Sequence, residues 1–197
     1  PNVAFDPLKF TWLGSLSSYA DDAYFLTVMS SHWAKTLADV QGAKKIHLGG
    51  VGLGSTNTTF ALIARDLLRV NMDEVRGFPG AADIWLAMER GEIDANCTLV
   101  SSIQTQRPEW LAQKKIDVLV QFAETKQKGL EHVPTIFELI SGDNDRKAVN
   151  FLIASEAIGR PVIAPPGLTA DRLAALRKAF MDTMKDPEFL DYARKAQ

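Results

Sequence analysis

The sequence predicts an α/β fold in which a parallel-rich sheet is flanked by helices. Between residues 24 and 122, strand-like and helix-like stretches alternate. That is the pattern of a parallel sheet with helices on both faces. The run IDVLVQF at 116–122 is long and mostly apolar, as a buried parallel strand is. The chain has 197 residues, 46% of them hydrophobic and 23% charged, which is enough apolar material for one large domain or two small ones.

Residues 1–22 are broken up by Pro1, Pro7 and Gly14, with Phe10, Trp12 and Leu13 as a short apolar patch. Residues 24–30 (YFLTVMS) are aromatic and β-branched and predict a strand. A short helix over 36–40 stops at Gly42. The most informative stretch is 46–68, IHLGGVGLGSTNTTFALIARDLL. Ile46 and Leu48 begin a strand, and Gly49, Gly50, Gly52 and Gly54 loosen the turn after it. Ser55, Thr56, Asn57 and Thr58 offer N-caps, with no Glu or Gln to complete a capping box. Phe60, Ile63, Ala64, Leu67 and Leu68 then form one buried helical stripe. A helix starting there aims free N–H groups and its positive dipole end at the turn. Two readings stay open at this point: a ligand-free βα connection, or an anion site.

Residues 74–78 form a weak strand, and Ala81 to Arg90 a helix with Ile84, Trp85 and Met88 buried and Gly91 as its left-handed terminator. Residues 92–97 read as a strand, 98–113 are ambiguous, and Pro108 starts a helical turn through Trp110. Short helices are expected over 136–140 and 147–156, separated from each other by the charged 142–146, and a strand over 161–164. Thr169 caps a helix carrying Leu173, Leu176, Phe180 and Met184 on one face, with Leu168 and Leu173 as a hydrophobic staple. Asp186-Pro187 opens the last helix.

Several function classes lack their signatures. The net charge of −2 leaves no electrostatic footprint for nucleic acid or an anionic membrane. No stretch approaches the ~20 apolar residues of a membrane span. No charged n-region followed by an apolar h-region opens the chain. Ser55, where a P-loop needs Lys, also breaks the dinucleotide fingerprint G-x-G-x-x-G. No cofactor is implied. Without Lys or Arg between 46 and 64, the loop suits a small carboxylate better than a polyphosphate. Cys97 is alone and reads as a small buried hydrophobe. His32, His47 and His132 share no metal-ligand spacing, and no serine lies in a G-x-S-x-G elbow. Glu89 reads as a solvated helix position. Asp83 near its helix start reads either as a dipole-stabilising acid or as a group facing the crevice of Ser55 and Thr56. The loops after three strands, 49–58, 78–83 and 96–102, are small and polar, which suggests a binding crevice without catalytic machinery.

These loops resemble the Bug family of periplasmic solute receptors, the binding proteins of tripartite tricarboxylate transporters. The matching stretches are GGVGLGSTNTTFALIARDLL (49–68), FPGAADIWLAMERGEIDA (78–95), HVPTIFEL (132–139) and PVIAPPGLTADRLAALRKAFMDTMKDPEF (161–189). The resemblance implies a type II periplasmic-binding-protein fold, two α/β domains closing on a small carboxylate. It implies a non-enzymatic periplasmic receptor that delivers ligand to membrane permease subunits without itself entering the membrane. Carried over residue by residue, it nominates Ser55, Thr56, Asn57 and Thr58 on the first loop and Gly80, Ala81 and Asp83 on the second. Thr98 stands on the third, where many relatives carry an acid. It divides the chain into 1–23 (end of the first domain and crossover), 24–118 (a complete lobe) and 119–197 (return crossover and C-terminal helices of the first domain). The opening part of that first domain has no counterpart here, so the second lobe is expected to be incomplete and ligand binding by residues 1–197 weak or absent. The effector-sensing domain of a transcription regulator, which uses the same bilobal fold, is the alternative.

Overall fold

A computed structural model of the chain describes residues 6–17, 22–154 and 159–195. In chain order the strands are β1 (Thr11–Ser17), β2 (Tyr24–Met29), β3 (Ile46–Gly50), β4 (Met72–Arg76), β5 (Ala95–Leu99), β6 (Ile116–Phe122) and β7 (Gly159–Ala164). The helices are α1 (Leu37–Val40), α2 (Thr56–Asp66), α3 (Ala81–Glu89), α4 (Val100–Gln106), α5 (Pro108–Ala112), α6 (Ile136–Leu139), α7 (Asp143–Ala154), α8 (Ala170–Thr183) and α9 (Pro187–Lys195). They fall into two compact units, one of residues 19–153 and one of residues 1–18 with 154–197.

The larger unit is built on a five-stranded sheet of order β4-β3-β5-β2-β6. β3 runs parallel to β4 and to β5, so that Leu48 lies between Glu74 and Ala95. β2 is antiparallel to both of its neighbours. The sheet is therefore mixed, and the reading of 116–122 as a parallel strand is corrected. Ile116–Phe122 pairs antiparallel with β2 at the end of the sheet. Its apolar character reports burial, not direction. The Gln121 amide donates to the Leu130 and Val133 carbonyls, each at 2.9 Å, and accepts from the Gln127 N–H at 2.8 Å, so the segment that follows is tied across this sheet edge.

Two buried clusters sandwich the sheet. Phe60, Ala61, Ile63 and Ala64 of α2 pack with Ile46, Leu48, Leu26, Cys97 and Phe122, joined by Ile136 of α6 and Val149 of α7. Phe60 lies between Tyr24 (ring centroids 4.6 Å) and Phe122 (4.9 Å). The second cluster joins Ile84, Trp85 and Met88 of α3 to Ile103, Trp110 and Ile116. Glu89 is not simply solvated: its carboxylate accepts from Trp110 Nε1 at 3.1 Å. The ambiguous 98–113 resolves into α4 and α5, with Pro108 opening α5. The Asp22 carboxylate starts α4 by accepting from the Ser101 N–H (3.0 Å) and hydroxyl (2.6 Å).

Three boundaries shift from the sequence reading. β4 begins at Met72, two residues early. β5 spans Ala95–Leu99 rather than 92–97. The Asp94 carboxylate explains the second shift, because it bonds the His47 N–H (2.7 Å) and lies 3.1 Å from His32 Nε2, which holds Asp94 in a connection. α7 starts at Asp143, since the acids read as an interruption supply its first turn. The expected end of that helix, Glu156, lies outside the described residues.

The smaller unit pairs β1 with β7 as an antiparallel ribbon. The Phe180 ring of α8 packs directly on Gly14, where a Cβ would collide with it. Arg177 donates to the Trp12 carbonyl at 3.2 Å. α9 opens as expected, with the Asp186 carboxylate accepting from the N–H groups of Glu188 (2.8 Å) and Phe189 (3.0 Å).

Candidate ligand-binding site

Because β3, β4 and β5 run parallel, their carboxyl ends share one edge of the larger unit. α2 leaves that edge on one face of the sheet and α3 on the other, as their separate clusters show. Such an edge is where open α/β sheets bind ligands.

The β3–α2 turn carries the four residues nominated first. Gly49 and Gly50 belong to the strand, and Gly54, at φ +84°, is the glycine of this turn that needs left-handed backbone. Gly49 makes room for α3, since a Cβ there would stand 2.5 Å from Ile84 Cγ2. Ser55 is the N-cap of α2 but makes no side-chain cap bond to the helix. Its hydroxyl has the Gly52 carbonyl (2.7 Å) and Asn57 Oδ1 (2.6 Å) within reach and shares its one proton between them. Asn57 Oδ1 also accepts the Thr58 N–H at 2.9 Å. A neutral oxygen of the chain thus sits on the donors an anion would use. Thr56 begins the helix and is half-buried, and Thr58 is fully buried. No acid lies in the first turn of α2 itself, and the Glu74 carboxylate beneath that turn is paired with Arg76.

The second loop brings Gly80 as the N-cap of α3, in extended backbone and without a side-chain cap bond, followed by half-buried Ala81. Asp83 lies exposed in the first turn of α3 and supplies the acid that the first turn of α2 lacks. Thr98 is corrected: it stands within β5 rather than on a loop, and α4 follows at once. Thr98 pairs with Phe25 and is buried, on the sheet face opposite Cys97 and α2. The structure therefore groups Ser55, Thr56, Asn57 and Thr58, places Gly80, Ala81 and Asp83 at the same edge, and separates Thr98 from Thr58.

Two residues missed by the sequence reading stand beside this turn. Glu74 and Arg76 alternate onto the α2 face of β4, and Arg76 pairs with Gly50 at the head of the turn. Parallel pairing brings them there from beyond the helix, and no local spacing announces it. Cys97 is wholly buried, and burial, with the Glu74 charge second, pushes its thiol far up. It offers no thiolate nucleophile. No group of three or more His, Cys, Asp or Glu among the described residues could hold a metal ion. No described helix is long and apolar enough to cross a membrane. An open groove of ≈ 500 Å³ between α8 and α9 is lined by Asp182, Asp186 and Glu188, whose charges oppose a carboxylate ligand.

No family model matches the chain, and no curated protein matches it either. Solved structures do match. A TctC solute-binding protein from Polaromonas superimposes with a TM-score of 0.66 at 20% identity, over 98% of this chain and 62% of that one. MatC from Rhodopseudomonas palustris, with bound malate, gives 0.63 at 19% identity over 96% of this chain and 60% of that one. The periplasmic binding protein BugD gives 0.62 at 16% over 98% and 60%. The chain thus spans about three-fifths of the length of these neighbours. It has the fold of the TctC- and Bug-type periplasmic solute-binding proteins, the receptors its loops resemble.

Proposed function

We propose that the chain is the ligand-binding part of a periplasmic solute receptor that captures a small carboxylate and hands it to the permease subunits of a tripartite tricarboxylate transporter. One observation carries the reading. The α2 N-terminus, uncapped by Ser55 and free of acids in its first turn, opens at the carboxyl edge of parallel strands. Hydroxyl and N–H donors already grip a stand-in oxygen there. The malate bound by one structural neighbour fits that chemistry. A ligand carboxylate takes the place of Asn57 Oδ1 on the Ser55 hydroxyl and the Thr58 N–H, with Thr56 beside it. Gly80, Ala81 and Asp83 form the second wall, where the Asp83 carboxylate accepts from a hydroxyl of the ligand. Thr98 supports this wall from within β5. Residues 6–17 and 159–195 are the remainder of the companion domain. The protein is not an enzyme: it binds and releases its ligand unchanged.

Of the weak or absent binding that the resemblance implies for residues 1–197, the open α2 terminus favours weak binding, with a Kd of roughly millimolar. Titrating ¹⁵N-labelled protein with malate tests this. Shifts concentrated in residues 50–58 and 77–83 are expected, lost in Thr56→Val. No shift at high malate, or shifts confined to α8 and α9, would sink the reading.

A further inference from the structure

Under the first turn of α2, two buried polar atoms lack a hydrogen-bond partner: Thr58 Oγ1 and Glu74 Oε1. Both crowd the face of Gly50, where an added Cβ would stand 2.9 Å from Thr58 Oγ1 and would collide with Glu74 Oε1. The absent side chain of Gly50 is what leaves them this room. The Glu74 side chain is only 4% exposed, and its other oxygen accepts from Arg76 Nε at 2.7 Å. A buried carboxylate needs such a cation. The pairing also fixes the cation. Nε is committed to Glu74, which leaves the two Nη groups of a side chain 41% exposed for another oxyanion. Arg76 is the last residue of β4 and pairs with Gly50, so its charge stands where the helix N-terminus opens.

From the buried Glu74, the orphaned Thr58 hydroxyl and the half-exposed guanidinium, we infer that Arg76 is the ligand's cationic contact. Its Nη groups take a carboxylate of the bound molecule, and Glu74 is the positioning residue that holds the guanidinium at the α2 terminus. This rests on the receptor reading above and adds the charge that reading lacked. Guanidinium recognises a planar oxyanion through two parallel N–H bonds, so the contact selects a carboxylate over its uncharged amide.

The test uses residues 1–197 with succinate and, as uncharged counterpart, succinamide. Succinate is expected to shift the Arg76 side-chain ¹⁵N–H signals together with the amides of 50–58. Arg76→Gln alone would strand the buried Glu74 charge, so the informative variant is Glu74→Gln/Arg76→Gln, a neutral pair with a preserved thermal midpoint. It is expected to bind succinate about tenfold more weakly and to lose most of its preference over succinamide. Arg76→Lys is expected to recover part of the affinity. Unchanged succinate affinity in the double variant, or an Arg76 signal that chloride shifts equally at matched concentration, overturns the assignment and leaves the receptor reading standing. Wild-type protein whose backbone amides ignore both succinate and malate overturns the receptor reading, and this inference with it.

Discussion

The two units use the same vocabulary to different effect. Residues 19–153 close apolar clusters on both faces of their sheet. In the smaller unit Ala164 is the single buried hydrophobic among the described residues, and α8 and α9 bury no side chain. Yet α8 and α9 carry textually stronger helix signals than α3 does: a staple, an Asp-Pro start and a regular apolar stripe. Leu176 of that stripe stays 41% exposed, whereas Trp85 of α3 is 0% exposed. Local signals specify a helix, and only a partner surface turns its stripe into a core.

The largest effect expected from this contrast is in paired phenylalanine truncations. Phe60→Ala removes a ring held between Tyr24 and Phe122 and is expected to cost about 3–5 kcal/mol in urea unfolding of the larger unit. Phe180→Ala, which uncovers Gly14 in the ribbon, is expected to change that same transition by less than about 0.5 kcal/mol. Equal losses would mean that the two units unfold as one body. Native-state hydrogen exchange sharpens the same contrast without mutation. Amides of β2 and β5, central in the sheet, are expected to exchange at least about a hundredfold more slowly than those of β1 and β7. Similar protection in both would break the comparison.

How much was legible follows the same division. Short-range signals read well: Gly91 takes φ +72°, Pro108 opens α5, and Asp186 caps α9. Strand direction was not legible, because β2 is as apolar antiparallel as it would be parallel. The start of β5 was misplaced because Ile93 continues the apolar alternation while Asp94 is held to His47 and His32 across the sheet's far edge. The first site loop was found from its glycines and hydroxyls. Glu74 and Arg76 were not, since they reach Gly50 by parallel pairing through an intervening helix. Thr98 fell on a loop in sequence and in a strand in space because no turn separates β5 from α4.

A third test asks whether the larger unit's cores are tight enough to reach the site. In Gly49→Ala the new methyl meets Ile84 Cγ2 at 2.5 Å, and the variant is expected to lose about 1–3 kcal/mol by overpacking. Adding Ile84→Ala is expected to give a double variant less destabilised than the sum of the two singles. Strict additivity would show that α3 yields freely, and the second wall of the candidate site would then be soft.

The smallest effect concerns how short helices persist beside a core. α1 has four residues, far below what stands alone. The Asp39 carboxylate accepts the N–H groups of Lys35 and Thr36, each at 2.8 Å, and the Thr36 hydroxyl at 2.9 Å. Those bonds, the Lys35 N–H first, hold its pKa below the ordinary 3.8. Glu138 is lowered in the same way by the Thr135 N–H ahead of α6. Both groups bind fewer protons folded than unfolded, so their stabilisation is present above the unfolded pKa and fades as pH falls through the folded one. Exposed as they are, each contributes little. Carboxyl NMR titration is expected to place Asp39 below 3.8, and Asp39→Asn is expected to raise amide exchange in α1 while leaving α8 unchanged. A 14-residue helix such as α8 spreads its hydrogen bonds over several turns and also rests on the ribbon through Phe180 and Arg177, but a single turn against a core needs its cap.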